Sequence, residues 1–258
     1  MIEKTIHYVW LGSKEVPENF AAFIENWERL HPEWDIIKWN EENFDCESND
    51  WVKLAMEQKN YSLAADVIRS KVLLDYGGVY LDVDVELFKP LDELVGENDF
   101  FIGYETDLWF GCAIFGAKKG HELMCEVYKR YLAPCEELNV SSNMLCVLNF
   151  SAAIKRLYGV KLDGKTKKIE DNVKLLSTDY CFPRNYITHR TKTTDNTVAM
   201  HHYSSTWHST KKLVGKKIAK ATRLVLGKRI FSCFERIARL NMLGKLNMEY
   251  KRGNGSAK

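Results

Sequence analysis

The sequence predicts an α/β fold built on a mostly parallel sheet flanked by helices. Three observations carry that reading. The chain opens with a strand–helix–strand order over residues 6–12, 18–30 and 34–39. A largely apolar helix over 62–76 then stops at Gly77-Gly78 and leads straight into Val79-Tyr80-Leu81-Asp82-Val83-Asp84-Val85. The 258 residues, 45% hydrophobic and 12% aromatic, suffice for one large domain with a substantial core.

The first strand, Ile6-His7-Tyr8-Val9-Trp10-Leu11, is β-branched and aromatic and stops at Gly12. Trp10 falls at its carboxyl end, where open α/β sheets bind ligands and where an indole can stack on a base or simply pack in the core. Phe20, Phe23, Ile24 and Trp27 share one side of the helix that ends before Pro32. The second strand leaves Trp39 and Asn40 beside the place Trp10 occupies, and a short helix follows over 50–59. In the helix over 62–76, Ser62 is the expected cap and Leu63, Val67, Ile68, Val72 and Leu74 are buried. Asp66 and Arg69 lie three apart and share a face, so on a helix this apolar they meet either solvent or a site.

In the acidic strand, period-two alternation sends Val79, Leu81, Val83 and Val85 one way and Tyr80, Asp82 and Asp84 the other. The two carboxylates are then about 7 Å apart at the backbone. Such neighbours raise each other's pKa, and a divalent cation removes that cost; oxygen ligation suits Mg²⁺ or Mn²⁺. Two short strands follow over 98–104 and 112–116. The loop between them, Glu105-Thr106-Asp107-Leu108-Trp109-Phe110, combines carboxylates with exposed-looking aromatics, either to grip a sugar or as a plain hairpin tip. Helices are expected over 121–132 and 141–158, a polar connection over 159–174 and an extended stretch over 175–183. A short apolar strand then delivers His201 and His202, followed by Ser204 and Trp207. Histidine ligates transition metals including Mn²⁺. Adjacent strand residues face opposite ways, so at most one of the two imidazoles can share the carboxylates' ion.

From Ser209 onward there are 14 Lys/Arg and 2 Asp/Glu in a chain of net charge +2, which leaves residues 1–208 with ten negative charges in excess. Val214, Ile218, Ala221 and Val225, then Ile230, Phe234 and Ile237, keep helical spacing among lysines and arginines. The organisation expected is a catalytic-type domain over 1–208, a basic amphipathic helical tail over 209–252 suited to an anionic membrane surface, and a disordered end over 253–258. An acidic body and few aromatics in the tail argue against nucleic acid. Seven unpaired cysteines without Cys-x-x-Cys, no signal-type leader and no apolar run of ~20 residues predict a cytoplasmic protein, peripheral on the inner face of the membrane.

Four blocks occur in order: Ile6–Gly12, Ser62-Leu63-Ala64-Ala65-Asp66-Val67-Ile68-Arg69, Asp75-Tyr76-Gly77-Gly78-Val79-Tyr80-Leu81-Asp82-Val83-Asp84 and His201-His202-Tyr203-Ser204-Ser205-Thr206-Trp207. Together, over roughly residues 4–207, they resemble the DXD-containing, sugar-binding-region glycosyltransferases (glycosyltransferase family 32) of yeast mannosyltransferase and bacterial capsule type. They also resemble the glucosyltransferase core of large clostridial toxins. The resemblance implies a GT-A fold, a nucleotide-sugar donor (a UDP-sugar before a GDP-sugar), a Mn²⁺ or Mg²⁺ ion and retention at the anomeric carbon. It implies that Trp10 stacks on the base with Val9 and Asn40 near the donor, and that Asp66 and Arg69 hold the sugar. Tyr80 and Asp82 would touch ribose, sugar or metal-bound water, and Asp84 would be the principal metal ligand. His201 or His202 would supply a further ligand, Ser204 or Ser205 another contact, and Trp207 would reach the β-phosphate. The toxins carry Asn and Ser where this chain has His-His. The expected activity is hexose transfer to a glycan acceptor, lipid-linked, in capsular or related polysaccharide assembly. The rival readings are a metal-dependent hydrolase using Asp82 and Asp84 as acids, which lacks carboxyls on opposite sides of a bond, and a non-enzymatic membrane adaptor.

Overall fold

A computed structural model of the chain describes residues 1–133, 135, 145–169, 172–186 and 189–204. The expected tail over 209–252, the end over 253–258, and Ser205 and Trp207 lie outside the described residues. The chain runs through β1 (Thr5–Val9), α1 (Glu18–Leu30), β2 (Asp35–Trp39), α2 (Asp50–Glu57), α3 (Tyr61–Tyr76), β3 (Gly78–Leu81), β4 (Val85–Leu87) and α4 (Asp92–Val95). It continues through β5 (Phe100–Thr106), β6 (Trp109–Ala117), α5 (Glu122–Lys129), α6 (Leu145–Tyr158), β7 (Lys167–Ile169), β8 (Val173–Leu176), α7 (Thr178–Cys181) and β9 (Ala199–His201). Among the described residues, seven strands form the central sheet in the order β2-β1-β3-β6-β5-β8-β7, and β4 with β9 forms a separate two-stranded ribbon. Strands β1, β2, β3, β5 and β8 run in one sense while β6 and β7 oppose them. The mostly parallel, helix-flanked sheet expected from the sequence is therefore the architecture found.

Helix α3 explains why the fold closes as it does. Its residues from Leu63 to Ser70, with Val72 and Leu73, are all buried, so apolar surface leaves water on every side of it. It packs on α2 and α5 and against β1, β3 and β6. Asn60 occupies the cap position expected for Ser62, and its carbonyl accepts from the Leu63 and Ala64 amides. At the other end Gly77 takes φ +71, the left-handed region that favours glycine. Its carbonyl accepts a hydrogen bond from His7 Nε2 at 3.0 Å, which ties the turn to β1.

Helix α1 buries Phe20 and Trp27 and reaches the ribbon directly. Trp27 Nε1 donates to the Val85 carbonyl at 3.0 Å and Asn26 Nδ2 to the Leu87 carbonyl at 2.8 Å. The fold departs from the expected one at four stretches. The acidic stretch is not one strand: β3 ends at Leu81 and residues 82–84 form a turn before β4. Trp109 and Phe110 are buried rather than exposed, because β5 and β6 pair out to Thr106 and Trp109 and Phe110 stacks on Tyr104 at 4.2 Å. The connection over 159–174 contains β7, and the stretch over 175–183 finishes β8 and then folds into α7. Among the described residues no helix is long and apolar enough to cross a membrane.

Candidate active site

The turn after β3 creates the acidic centre. The Asp82 amide donates to the Ala113 carbonyl at 2.8 Å, and the Val85 amide donates back to the Asp82 carbonyl at 2.9 Å. The chain thus leaves the sheet at Asp82 and starts the ribbon at Val85. There β4 pairs antiparallel with β9, Val85 opposite His201. That pairing carries an imidazole from late in the chain to two mid-chain carboxylates. Asp82, Asp84 and His201 each offer a ligand atom, all within 4.8 Å of one another. His201 Nε2 lies 3.2 Å from Asp84 Oδ1, and the Ser204 amide donates to Asp84 Oδ2 at 2.6 Å. The His201 ring sits between the Phe182 ring, edge-on at 6.1 Å, and the Tyr203 ring at 4.2 Å, with Nδ1 buried and unbonded.

His202 faces the other way. Its amide donates to the Asp84 carbonyl at 3.0 Å, but its Nε2 donates to Glu86 Oε2 at 2.8 Å and its ring stacks on Phe23 at 5.1 Å. The alternation argument thus separates the two histidines: His201 shares the carboxylates' centre, and His202, a candidate ligand by sequence, does not.

Behind the acidic centre lies a buried charge network. Arg69 Nη2 is 3.2 Å from Asp66 Oδ1 and 3.1 Å from Asp82 Oδ1, Nη1 donates to the Cys112 carbonyl at 2.6 Å and Nε to the Ala65 carbonyl at 3.2 Å. The guanidinium also lies over the Tyr80 ring, 4.5 Å from its centroid, and the Tyr80 hydroxyl donates to Asp82 Oδ1 at 2.9 Å. Burial pushes the Asp66 carboxyl up to about 7 although Arg69 opposes it, and the Asp82 charge adds to the rise. Burial also raises Asp82, against the pull of Arg69 and His201. Asp84 is buried too, yet His201 and the Ser204 amide outweigh that and hold it below the usual carboxylate range. Three neighbouring carboxyls held in unlike environments make this cluster a functional-site candidate.

Trp10 and Asn40 line a cavity of about 610 Å³ with Lys14, Lys38, Glu41 and Glu42 at the carboxyl ends of β1 and β2. Trp10 is only 6% exposed, and its Nε1 donates to the Lys14 carbonyl at 2.7 Å. The loop over 12–16 is latched there, with the Gly12 amide donating to Glu41 Oε1 at 2.7 Å. The Val9 side chain belongs to the hydrophobic core, so its main chain is what it presents to a ligand. The sequence reading missed Glu86, Phe182, Arg184 and Tyr203. Glu86 continues the i, i+2 spacing of Asp82 and Asp84 and was legible; the others follow no period.

Two carboxylates and one imidazole nitrogen form a donor set that fits a divalent cation. Residues 17–101 match the glycosyltransferase sugar-binding region containing a DXD motif. That segment is similar to the DXD-containing glycosyltransferases. It contains Asp66, Arg69, Tyr80, Asp82 and Asp84. Inositol phosphoceramide mannosyltransferase 1 of Schizosaccharomyces pombe is 31% identical over 122 residues, 42% of this chain and 38% of that protein. An uncharacterized glycosyltransferase, L373, of Acanthamoeba polyphaga mimivirus is 26% identical over 203 residues, 72% of this chain and 74% of that protein. The chain therefore spans well under half of the yeast relative and about three-quarters of the viral one. Among solved structures, the PaToxG glycosyltransferase aligns at 16% identity and TM-score 0.48, over 60% of this chain and 68% of that one.

Proposed function

We propose that this chain transfers a hexose from a nucleotide-diphosphate sugar to a hydroxyl group of a glycan or lipid-linked acceptor, with retention, using a divalent cation held by Asp82, Asp84 and His201. The observation that carries this reading is the convergence of those three ligands beside the Arg69–Asp66 pair, inside a DXD-type sugar-binding region. A cation bound there supplies positive charge against the diphosphate that departs when the glycosidic bond breaks.

The remaining work falls to the chain. Arg69 is occupied by Asp66, Asp82 and two carbonyls, so it fixes both carboxylates in place. Asp66 gives Oδ1 to Arg69 and turns Oδ2 to a sugar hydroxyl, which sets the face of the anomeric carbon that the acceptor meets. The cavity beside Trp10 and Asn40 receives the nucleoside, with the indole as stacking platform once the loop over 12–16 lifts. The carboxylates that converge here, Asp66, Asp82 and Asp84, are engaged by Arg69, Tyr80, His201 and the Ser204 amide, which supports same-face, ion-pair-like substitution. Mannose as the hexose and a lipid acceptor are supported by the yeast relatives' names, and the basic stretch over 209–252 by its composition suits an anionic membrane surface.

A thermal-shift screen of UDP- and GDP-sugars, each with and without Mn²⁺, tests the reading. Stabilisation by one nucleotide class, dependent on Mn²⁺, is expected; no stabilisation by either class ends the proposal.

A further inference from the structure

We propose that Arg184 grips an anionic oxygen of the donor's diphosphate, as a second positive group beside the Asp82–Asp84–His201 centre. This inference rests on the nucleotide-sugar reading above and adds a residue to it.

Arg184 lies three residues beyond the end of α7, and its main chain is fixed by an isolated bridge to Thr191. Its hydrogen bond among the described residues runs from Nη1 to His202 Nδ1, at 3.5 Å. His202 is itself oriented by Glu86, 2.8 Å from its other nitrogen, and by the Phe23 ring. Arg184 is thus steered from one corner by a side chain of the ribbon. Its Nε is buried and makes no hydrogen bond. Among the described residues no carboxylate lies within ion-pair distance of it, in a region that otherwise pairs its charges closely: Arg69 with Asp66 and Asp82, His202 with Glu86, His201 with Asp84. A buried guanidinium N–H without a partner is costly, and the Nε–Nη2 edge is the one that meets an oxyanion with two parallel bonds.

Tyr203, whose ring is 4.2 Å from that of His201, stands within the fields of Glu105, Asp84 and Arg184 together. Arg184 therefore lies beside the same acidic centre, linked to it through His202 and Tyr203. A diphosphate leaving group carries more negative charge than one divalent cation offsets, and Arg69 is fully engaged. The unpaired edge of Arg184 is placed to meet that excess.

Titration calorimetry on the full chain with Mn²⁺ tests this. The probes are uridine, UMP and UDP, and guanosine, GMP and GDP, on the wild type, Arg184→Gln and Arg184→Lys. Arg184→Gln is expected to weaken the diphosphate of the accepted base by about 10- to 100-fold while leaving the nucleoside unchanged. Arg184→Lys, which keeps the charge and loses the fork, is expected to recover part of the loss. Equal affinity of wild type and Arg184→Gln for both diphosphates overturns the inference and leaves the functional reading standing. So does a loss that is uniform from nucleoside to diphosphate, which would mean a structural role through His202. A wild type that binds neither diphosphate overturns the functional reading and this inference with it.

Discussion

Arg69 holds two buried carboxylates in position, and its removal tests whether that network is structural as well as functional. Truncating one partner of a buried ion pair leaves uncompensated charge in a poorly solvated place, at a cost of about 3–5 kcal/mol. Arg69→Met is expected to lower unfolding free energy by about that much in a denaturant titration, and Asp66→Asn by less, since burial already holds the Asp66 carboxyl up at about 7. His7 gives a second, independent prediction. Trp39 Nε1 donates to His7 Nδ1 at 3.0 Å and His7 Nε2 donates to the Gly77 carbonyl, so the neutral ring is satisfied on both sides and a second proton has no acceptor. Burial accordingly lowers its pKa to about 4, against 6.5 in the unfolded chain. Because the unfolded state binds the extra proton, this stability is fully present above pH 6.5 and is lost as pH falls towards 4, about 3 kcal/mol in all. Denaturant titrations from pH 7.5 to 4.5 should show that slope in the wild type and a shallower one in His7→Gln.

At the scale of elements, the β4–β9 ribbon builds the site and β5, β6 and α7 support it. Phe182 stands over Gly103 on β5 and Gly111 on β6, and a Cβ on Gly111 would run into its ring. The same ring lies edge-on to His201. Gly111→Ala is therefore expected to cost about 1–3 kcal/mol of stability through overpacking and to weaken Mn²⁺ binding as Phe182 is displaced towards His201. Unchanged Mn²⁺ affinity in a folded Gly111→Ala protein would show that Phe182 does not position the imidazole. The helices and parallel strands of the first 81 residues were legible because their apolar periods are long and bounded by Pro32 and by Gly77-Gly78. The turn over 82–84 was not, since Asp-Val-Asp fits a strand by alternation and only the Ala113 and Val85 hydrogen bonds decide otherwise. For the same reason the two carboxylates were expected on one strand face, whereas the turn is what brings them together. The separation of His201 from His202 was legible, because strand alternation alone demands it; which of them faces inward depends on the β4–β9 register, a long-range pairing that no local pattern reports.

On the scale of the whole molecule, the excess of ten negative charges over residues 1–208 and the basic stretch beyond Ser209 divide the chain electrostatically. If the basic stretch meets anionic lipid, flotation with phosphatidylserine-containing liposomes should fall sharply for a chain truncated at Ser209, and more so at low salt; undiminished flotation would remove the membrane from the account. The division also bears on the site, because an acidic body repels a nucleotide unless positive charge gathers where the diphosphate lies. A cation shared by the mid-chain carboxylates Asp82 and Asp84 and the late imidazole of His201 would supply that charge. Mn²⁺ titration followed by the electron paramagnetic resonance of the free ion, on wild type, His201→Ala and His202→Ala, tests this most directly. The wild type and His202→Ala should bind one ion with comparable affinity while His201→Ala loses at least tenfold; a loss in His202→Ala with His201→Ala unaffected would contradict it.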